Sequence, residues 1–380
     1  MKNYGNGFCL LQLIERHEFY ALCKKWEMDR YVRKFPTWNQ LSVLILSYVL
    51  KVDSSREVEL VFRVPKSTFC DANQERAAGF FEELCRIILW AIHAQSKARK
   101  VRRAIRTILA LDSTECAVHG SMSRLPFWRH RKGSKKSSVK LHCIWDVEGE
   151  WIEDFRITPG SKNDSPVAKK FEISAGKTYV FDKAYNDLEF WQRIITKGSH
   201  FVTRLKKCSR RKYRHFDVLK GKEEESGVLW DGKWKPSHSA LQLRRRSIPK
   251  NFSVRHIIYR DPEQKRLFDF VTSDFSAPAQ EIADIYKKRW AVELLFRWLK
   301  GHLNVRYFAA KNSNSIRVHV AVAVLVQLLV QLYRLKTSLP GTLWETLRRL
   351  RTELWERGLQ NLASAGVTPD SPATVAALQP

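Results

Sequence analysis

Apolar positions along the chain follow two different periods, and the change from one to the other divides the sequence. Over residues 8–96 they recur every three to four residues, which predicts amphipathic helices. From Ile105 to residue 273 they mostly alternate with polar positions, which predicts strands with one buried face. Helical spacing returns over residues 279–359. The pattern therefore predicts an α/β protein in which an all-α N-terminal domain precedes the sheet.

Capping and turn residues set approximate limits for these elements. Thr37 with Gln40, and Ser54 with Glu57, have the spacing of capping boxes, so we expect a helix to begin at each place. The other helices are expected at residues 8–26, 73–93, 165–173, 187–197, 279–304, 312–336 and 343–359. The strands are expected at residues 108–112, 139–145, 151–158, 178–182, 200–204, 240–246, 252–259 and 266–273. Residues 221–232 are polar and turn-rich, and the composition of residues 361–380 favours disorder.

The helix expected at residues 279–304 carries a narrow polar stripe. On a helical wheel of roughly 100° per residue, Tyr286, Arg289, Glu293 and Lys300 fall within an arc of about 60°. Apolar residues flank the stripe, so the helix can pack on a core while its polar edge faces a cleft. An amphipathic helix with a solvated charged side gives the same pattern, and it does so more often than a catalytic helix. The stripe alone leaves both interpretations open.

Two of the expected strands end in an aspartate. Asp112 closes the strand at residues 108–112, and Asp182 closes the strand at residues 178–182. Carboxylates on rigid strand ends can converge on a metal ion, and Glu293 would supply a third oxygen ligand. Either aspartate alone is more often a turn residue or a helix N-cap. The three carboxylates together are candidates for a metal site.

The charge of the chain points to its partner. Lys and Arg number 67 against 39 Asp and Glu, which gives a formal net charge of +28 and an isoelectric point near 10.0. Basic residues cluster among apolar and aromatic ones at residues 97–106, 124–140, 206–214 and 244–246. A surplus of this size, dispersed over folded sequence, is typical of a surface that binds a polyanion. Nucleic acid is therefore the leading partner.

Cysteines and apolar segments argue against other classes of protein. The seven cysteines are scattered, odd in number and without a Cys-x-x-Cys pair, which disfavours a disulfide framework or a zinc site and fits a reducing cytoplasm. The N-terminal apolar run is too short for a signal peptide. Residues 318–333 are the most apolar, but they are shorter than a membrane span and include Gln327 and Gln331. We interpret them as a core helix and expect no membrane partner.

The polar stripe has the form Tyr-x2-Arg-x3-Glu-x6-Lys, and two aspartate motifs precede it in order. These motifs are Ala110-Leu-Asp112-Ser-Thr and Phe181-Asp182-Lys-Ala-Tyr185. With them, the chain resembles the DDE transposases of bacterial insertion sequences, in particular the insertion-sequence-four group with its YREK signature. The resemblance covers nearly the whole length, because residues 29–38, 201–206 and 270–274 are also similar to segments of that group.

The resemblance implies a fold: an RNase H-like catalytic domain, interrupted by a β-rich insertion and preceded by an all-α N-terminal domain. The helical domain, which would bind DNA, is expected at residues 1–98. The RNase H-like domain is expected in two parts, at residues 99–205 and 276–340, with the insertion at residues 206–275. A C-terminal helix and a flexible tail would follow at residues 341–380.

The resemblance also implies a chemistry and the residues that perform it. The catalytic carboxylates, which bind two Mg²⁺ ions for which Mn²⁺ can substitute, correspond to Asp112, Asp182 and Glu293. The residues that contact the transposon end correspond to Tyr286, Arg289 and Lys300. The implied activity is metal-dependent strand cleavage and strand transfer on double-stranded DNA, for cut-and-paste movement of an insertion sequence. The enzyme would act as a homodimer at the nucleoid in the bacterial cytoplasm.

Two alternatives to this activity share the fold. One is a catalytically silent DNA-binding relic, and the other is an RNase H-like nuclease without strand transfer. The carboxylates and the signature match the family's pattern, so the motifs themselves give no reason to expect an inactive relic. The one departure that we note is Asn163, where the family often has a histidine, and it touches no catalytic position.

Several aromatic and histidine side chains are further candidates. In the family a flipped base stacks on an aromatic ring, which Trp230 or Trp234 could supply, although a tryptophan there is more often part of the core. We expect Trp298 to serve packing. His142, on a strand face, and His130, in a basic loop, are more often structural or phosphate-facing than catalytic.

Overall fold

The computed structural model gives the chain a mixed α/β fold, as the two periods predict. The structure describes residues 9–98, 106–118, 137–205, 213–220, 227–236, 248–249, 251–263, 265–302 and 312–364. The chain forms two compact units. One unit consists of Met1–Arg99 with Trp298–Pro380, and the other of Lys100–Arg297.

The predicted helices and strands that the structure describes occur in the predicted order, and a helix at Lys66–Glu75 and strands at Tyr213–Lys220 and Val228–Pro236 were not predicted. The described helices are α1 (Cys9–Gln12), α2 (Arg16–Lys25), α3 (Thr37–Leu50), α4 (Ser55–Phe62), α5 (Lys66–Glu75), α6 (Ala78–Ala98), α7 (Asp164–Ala168), α8 (Leu188–Thr196), α9 (Ala279–Lys287), α10 (Trp290–His302), α11 (Ser313–Thr337) and α12 (Leu343–Ser364). The described strands are β1 (Ile108–Val118), β2 (Ser137–Asp146), β3 (Trp151–Pro159), β4 (Thr178–Phe181), β5 (His200–Arg204), β6 (Tyr213–Lys220), β7 (Val228–Pro236), β8 (Val254–Arg260) and β9 (Leu267–Thr272). A short 3₁₀ helix at Lys183–Tyr185 follows β4.

Two buried helices form the centre of the helical unit. All but two of the residues of α3 are buried, and α11 is buried almost continuously from Ser315 to Leu332. Within the described residues, α11 is the one helix long and apolar enough to cross a membrane, but 94% of its apolar window is buried inside the fold. The prediction of a core helix at residues 318–333 is thereby confirmed. The predicted helix at residues 343–359 is also confirmed as α12, which extends to Ser364, whereas residues 365–380 lie outside the described part.

A buried polar cluster accounts for two wrong predictions in the helical unit. Gln40 does not complete a capping box, because its amide nitrogen donates to Asn73 (2.7 Å) and its oxygen accepts from Arg76 (2.9 Å). The helix expected at residues 73–93 is broken between α5 and α6, where Asn314 accepts from the Ala78 N–H and donates to the Arg76 carbonyl. The chain turns there because each freed backbone group finds a side-chain partner.

The N-terminal helix limits are partly as predicted. The helix expected at residues 8–26 is divided into α1 and α2, because the N–H groups of Leu13 and Ile14 bond three residues back and Glu15 is extended. Ser54 caps α4 as predicted, since its hydroxyl accepts from the Glu57 N–H at 3.2 Å. The Glu57 carboxylate accepts from the neighbouring Asp53 N–H, which completes the cap one residue earlier than a standard box.

The described strands belong to one nine-stranded sheet, in the order β3-β2-β1-β4-β5-β9-β8-β7-β6. β1, β2 and β3 form the predicted antiparallel meander, and β4 and β5 add to β1 in parallel. β9 then pairs with β5 antiparallel, so β6 to β9 extend the same sheet. The core beneath β4 and β5 contains large buried side chains, among them Phe181, Phe190, Trp191 and Phe201.

The region of residues 206–275 follows the predicted strand pattern only in part. The strands expected at residues 252–259 and 266–273 are confirmed as β8 and β9, whereas the strand expected at residues 240–246 lies outside the described part. The turn-rich interpretation of residues 221–232 is wrong from Val228 onward, because β7 begins there. Asp231, which suggests a turn by residue type, is instead a buried strand residue whose carboxylate Arg255 binds at 2.8 and 2.6 Å.

The segment predicted as one helix at residues 279–304 is two helices. α9 ends at Lys287 and α10 begins at Trp290, because the N–H groups of Ala291 and Val292 bond three residues back instead of four. No proline or glycine marks this break in the sequence. The predicted helix at residues 165–173 is likewise shorter, because α7 ends at Ala168 in turns of the same kind.

Candidate active site

The two motif aspartates meet because of strand register. β1 and β4 are parallel, and Leu111 is paired with Phe181 as the last partners of their ladder. The next residues, Asp112 and Asp182, therefore leave the paired region at the same edge. The prediction that Asp112 ends its strand is wrong, because β1 continues to Val118, paired with β2 alone. The end of the parallel ladder, not the end of the strand, positions its carboxylate.

One carboxylate oxygen of each aspartate accepts a hydrogen bond from the backbone N–H of the next residue. Asp112 Oδ1 accepts from the Ser113 N–H at 2.8 Å, and Asp182 Oδ1 accepts from the Lys183 N–H at 2.7 Å. Asp182 is the N-cap of the 3₁₀ helix Lys183–Tyr185, so the N-cap alternative is confirmed for this residue. The cap does not exclude a site, because a carboxylate has a second oxygen.

Arg289 joins the third carboxylate to the first. Its Nη1 lies 3.3 Å from Asp112 Oδ2, and its Nη2 lies 2.6 Å from Glu293 Oε1. Arg289 stands at the break between α9 and α10, and its side chain is only 15% exposed. The structure thus brings Glu293 to the edge of the sheet occupied by Asp112, with one guanidinium between the two carboxylates.

A second arginine, which the sequence patterns did not single out, approaches Asp182. Thr203 of β5 is paired in parallel with Phe181, so Arg204 follows its strand at the same edge as the aspartates. Its Nη2 lies 3.4 Å from Asp182 Oδ1. The signal available in the sequence was its position as the last residue of the strand expected at residues 200–204, beside an aspartate-ending strand.

The tyrosine of the signature lies between the two arginines. The Tyr286 ring centroid is 5.5 Å from the Arg204 guanidinium carbon and 5.8 Å from that of Arg289. Tyr286 is buried and packs against Phe270 of β9, with 5.1 Å between ring centroids. Burial raises the pKa of its hydroxyl, although both arginines oppose that shift. Lys300, the last signature residue, is a half-buried residue of α10, seven positions after Glu293.

Electrostatics distinguish Asp112 from an ordinary surface carboxylate. Burial raises the pKa of Asp112 to about 6, and the negative charges of Asp182 and Glu293 add to the shift. The Ser113 N–H and Arg289 act in the opposite direction but do not cancel it. The charged form of Asp112 is therefore disfavoured in this structure, chiefly by burial and in part by the two neighbouring carboxylates.

The fit of a metal ion to these residues depends on their chemistry. No group of three or more His, Cys, Asp or Glu side chains among the described residues is close enough to hold a metal ion as it stands. Asp112, Asp182 and Glu293 nevertheless supply hard oxygen donors, and the charges of Asp182 and Glu293 add to the burial that raises the pKa of Asp112. The donor set fits a divalent cation that would take over the charge-balancing role of Arg289.

The remaining candidates are structural where the structure describes them. His142 is buried between Thr158 (2.9 Å) and Asp164 (3.5 Å), and burial lowers its pKa to about 4. Trp234 is buried and stacks on His256, with 4.5 Å between centroids, so the core interpretation of this tryptophan is confirmed. Trp298 is buried, as expected for a packing residue, and Trp230 is half-buried. His130 lies outside the described residues.

The chain is similar to known families and proteins. A family profile described as a transposase DDE domain matches residues 103–329, and a profile described as a domain of unknown function matches residues 9–68. The transposase y4zB of Sinorhizobium fredii is 28% identical over 69% of this chain and 69% of its own length. A transposase for insertion sequence element IS5377 of Geobacillus stearothermophilus is 29% identical over 61% of this chain and 59% of its own.

One solved structure and one further relative complete the comparison. The piggyBac transposase in a synaptic complex with hairpin DNA is 13% identical, with a TM-score of 0.49, over 98% of this chain and 88% of that chain. A transposase for insertion sequence element IS4SA of Synechocystis is 22% identical over 77% of this chain and 78% of its own length. The family profile alone spans more than half of the chain and includes both aspartates, both arginines and Glu293. The chain belongs to the DDE transposases, a family of enzymes that act on DNA and generally depend on a divalent metal ion.

Proposed function

We propose that this transposase binds the terminal inverted repeats of an insertion sequence and moves the element by cut-and-paste transposition. The reaction would be metal-dependent cleavage of a strand at each end, followed by transfer of the freed 3′ end to target DNA. One observation carries the proposal. Asp112 and Asp182 follow paired positions of two parallel strands, and Arg289 connects Glu293 to Asp112 at the same edge.

The three carboxylates are the proposed ligands of two Mg²⁺ ions, for which Mn²⁺ can substitute. A bound divalent cation supplies positive charge to the scissile phosphate and lowers the pKa of an attacking water. Asp112 and Asp182 each hold one oxygen against the backbone, which fixes the orientation of the carboxylate before any ligand arrives. The carboxylates support the proposal because oxygen ligands on rigid elements suit both Mg²⁺ and Mn²⁺.

The signature cations are the proposed contacts to the transposon end. Arg289 lies beside two of the carboxylates, where the scissile phosphate has to be, and its fork can bind phosphate oxygens bidentately. Lys300 would act further along α10 as a point charge. Tyr286 is buried, and both guanidiniums contact its ring. We therefore propose that it assists DNA binding by positioning the two arginines.

We propose that residues 99–205 and 276–340 form an RNase H-like domain, with residues 206–275 as its β-rich insertion, although Trp298 and the residues after it belong to the compact helical unit. The order β3-β2-β1-β4-β5, with an antiparallel meander followed by two parallel strands, supports this assignment. β6 to β9 continue the sheet from β5, which supports an insertion that is built onto the catalytic sheet. Residues 341–380 would form the C-terminal helix and tail.

The helical domain at residues 1–98 is proposed to bind the ends of the element. Two of its helices, α4 and α5, are separated by only three residues, Arg63 to Pro65. Arg63, Lys66, Ser67 and Asp71 are exposed around that turn and on the second helix. Such a polar, partly basic helix face supports contact with phosphates and base edges in a DNA groove.

The assembly and group of the enzyme are part of the same proposal. Two ends have to be held together for cut-and-paste movement, which supports a homodimer in the synaptic complex. The Tyr286, Arg289, Glu293 and Lys300 spacing supports membership of the insertion-sequence-four group. The substrate would be chromosomal DNA at the nucleoid, in the cytoplasm of a bacterium.

The test is an assay of strand cleavage and joining on a labelled duplex taken from the DNA that flanks the reading frame, with Mg²⁺ present. Asp112→Ala, Asp182→Ala and Glu293→Ala should each abolish both steps while the variants still bind the duplex. Asp284→Ala is the matched control, because this carboxylate of α9 is 54% exposed and, among the described residues, contacts only side chains of its own helix, Gln280 at 3.3 Å and Lys287 at 3.9 Å. Cleavage retained by any of the three site variants would overturn the assignment.

The same assay separates the two alternatives. A catalytically silent DNA-binding relic would bind the duplex and cleave nothing, even as the wild-type protein. A nuclease without strand transfer would cleave the duplex in a carboxylate-dependent way but join no strand to target DNA. Short inverted repeats on both sides of the reading frame would favour transposition over both alternatives.

A further inference from the structure

Arg204 is a second guanidinium at the edge of the sheet that carries the two aspartates. Its side chain is 24% exposed, and its Nη2 is 3.4 Å from Asp182 Oδ1. The Nε atom is buried without a hydrogen-bond partner among the described residues. A guanidinium that lies partly exposed at this edge, and whose ion pair to a carboxylate uses only Nη2, has room for a second anionic partner.

An aromatic platform holds this guanidinium in place. Its carbon is 5.5 Å from the Tyr286 ring centroid and 5.9 Å from that of Phe268. Phe268 in turn stacks on Phe270 at 5.6 Å, and Phe270 packs on Tyr286 at 5.1 Å. Cation–π contacts of this kind fix an arginine without consuming its N–H donors. The platform can therefore keep the guanidinium at the edge while its anionic partner changes.

The two arginines divide the carboxylates between them. Arg289 pairs with Asp112 and Glu293, whereas Arg204 pairs with Asp182. Both guanidiniums contact the one Tyr286 ring. A divalent cation bound to the carboxylates would compete with the arginines for the same negative charge, and at Asp112 for Oδ2 itself. A guanidinium displaced from a carboxylate is then free to pair with a phosphate.

We propose that Arg204 is a DNA-phosphate contact of the reaction centre that is held in reserve by Asp182. In the free enzyme it neutralises Asp182, and when a divalent cation occupies the carboxylates it pairs with a backbone phosphate of the bound DNA end. This inference rests on the proposed function, because it takes Asp182 as a metal ligand and the DNA end as the substrate.

The inference requires opposite effects on two binding equilibria. Arg204→Met removes a competitor for Asp182, so the metal-binding affinity of the free enzyme, measured with Mn²⁺ by calorimetry, should rise about twofold to fivefold. The same variant loses a charge-assisted contact, so its affinity for the flanking-DNA duplex with Ca²⁺ present should fall about tenfold or more. The slope of log affinity against log salt concentration should also decrease by about one.

Two variants serve as controls. Arg266→Met removes a guanidinium that also stacks on Phe268, at 5.6 Å, and for which no ion pair to a carboxylate is recorded among the described residues. It should change neither equilibrium. Arg204→Lys keeps the charge but not the fork, so it should retain most of the competition with Mn²⁺ and give an intermediate affinity for DNA.

The outcomes separate this inference from the proposed function. A purely structural role for Arg204 would weaken both equilibria together, and unchanged affinities in Arg204→Met would show that the residue contacts no phosphate; either result overturns the inference. If the wild-type protein bound no Mn²⁺ and cleaved no flanking DNA, the proposed function itself would fail. Wild-type cleavage combined with unchanged Arg204→Met binding would leave the proposed function standing and reject Arg204 alone.

Discussion

Two carboxylates of the sheet unit, each beside an arginine, have pKa values that move in opposite directions, and the first of them is Asp274. Its side chain is fully buried just after β9. Oδ1 accepts from the N–H and hydroxyl of Ser276 (2.8 and 2.7 Å) and from the Ala277 N–H (3.0 Å), and Oδ2 lies 2.5 Å from Arg106. Burial acts to raise the pKa of Asp274, but the hydrogen bonds and Arg106 outweigh it and lower the pKa to about 2.

Asp112 is less well compensated than Asp274. Burial raises its pKa to about 6, because one backbone N–H and Arg289 oppose burial while Asp182 and Glu293 add negative charge. The difference teaches that hydrogen-bond donors decide whether a carboxylate removed from solvent keeps its charge easily. Asp274 accepts three hydrogen bonds besides its arginine and stabilises the fold. Asp112 accepts one backbone hydrogen bond besides its arginine, and the negative charges of Asp182 and Glu293 act on it, which suits a cation.

Activity should separate the two carboxylates most strongly. We expect Asp112→Asn to lower the rate of strand cleavage about a hundredfold or more, because it removes a charge on which the reaction centre depends. Asp274→Asn should leave the rate per folded molecule unchanged. Both rates are measured on the labelled flanking duplex with Mg²⁺, after the folded fraction of each variant has been determined. Equal losses in the two variants would contradict the contrast between a site carboxylate and a structural one.

Sequence patterns identified the edge of the sheet but not its architecture. The alternation of apolar residues located β1, β4 and β5, and the aspartate motifs located Asp112 and Asp182. Period alone could not show that β1 runs past Asp112, because the residues after it pair with β2 only. Register is a property of two strands, so the meeting of the two aspartates required the structure.

The helix break and the second arginine were beyond sequence reasoning for a different reason. The break at Arg289 involves no proline or glycine, and the wheel treated Tyr286 and Glu293 as members of one straight helix. Their grouping was nevertheless useful, because Arg289 contacts both residues across the break. Arg204 is one of 67 basic residues, and only its pairing next to Asp182 distinguishes it.

Stability should respond next most strongly, at Asp274. Its pKa in the folded protein is about 2, below the ordinary 3.8, so its contribution to the free energy of unfolding is present above pH 4 and disappears as the pH falls toward 2. Asp274→Asn should therefore lower the free energy of unfolding by about 2 kcal/mol at pH 7. Urea denaturation at pH 7 and pH 3 measures this loss, which should shrink at the lower pH. A loss that is independent of pH would point to packing instead of charge.

The free energy of unfolding should change in the opposite direction at Asp112. Its pKa in the folded protein is about 6, above the ordinary 3.8, so the folded state loses stability as the pH rises from 4 through 6. Asp112→Asn removes that penalty, and we expect it to raise the free energy of unfolding by about 1 kcal/mol at pH 7 when no divalent cation is present. The gain should vanish below pH 4. If Asp112→Asn destabilised the protein as much as Asp274→Asn, the contrast between the two carboxylates would be wrong.

The smallest change in the free energy of unfolding should come from replacing Arg106, and it tests which partner compensates the charge of Asp274. Arg106 is partly exposed and lies within 3.8 Å of a second carboxylate, Glu281, whereas the turn at Ser276 and Ala277 supplies three short hydrogen bonds. We therefore expect Arg106→Met to lower the free energy of unfolding by less than about 1 kcal/mol, measured by the same urea denaturation at pH 7. A loss equal to that of Asp274→Asn would assign the compensation to the cation. The difference between Asp274 and Asp112 would then come from the strength of the arginine pair, and not from the larger number of hydrogen-bond donors around Asp274.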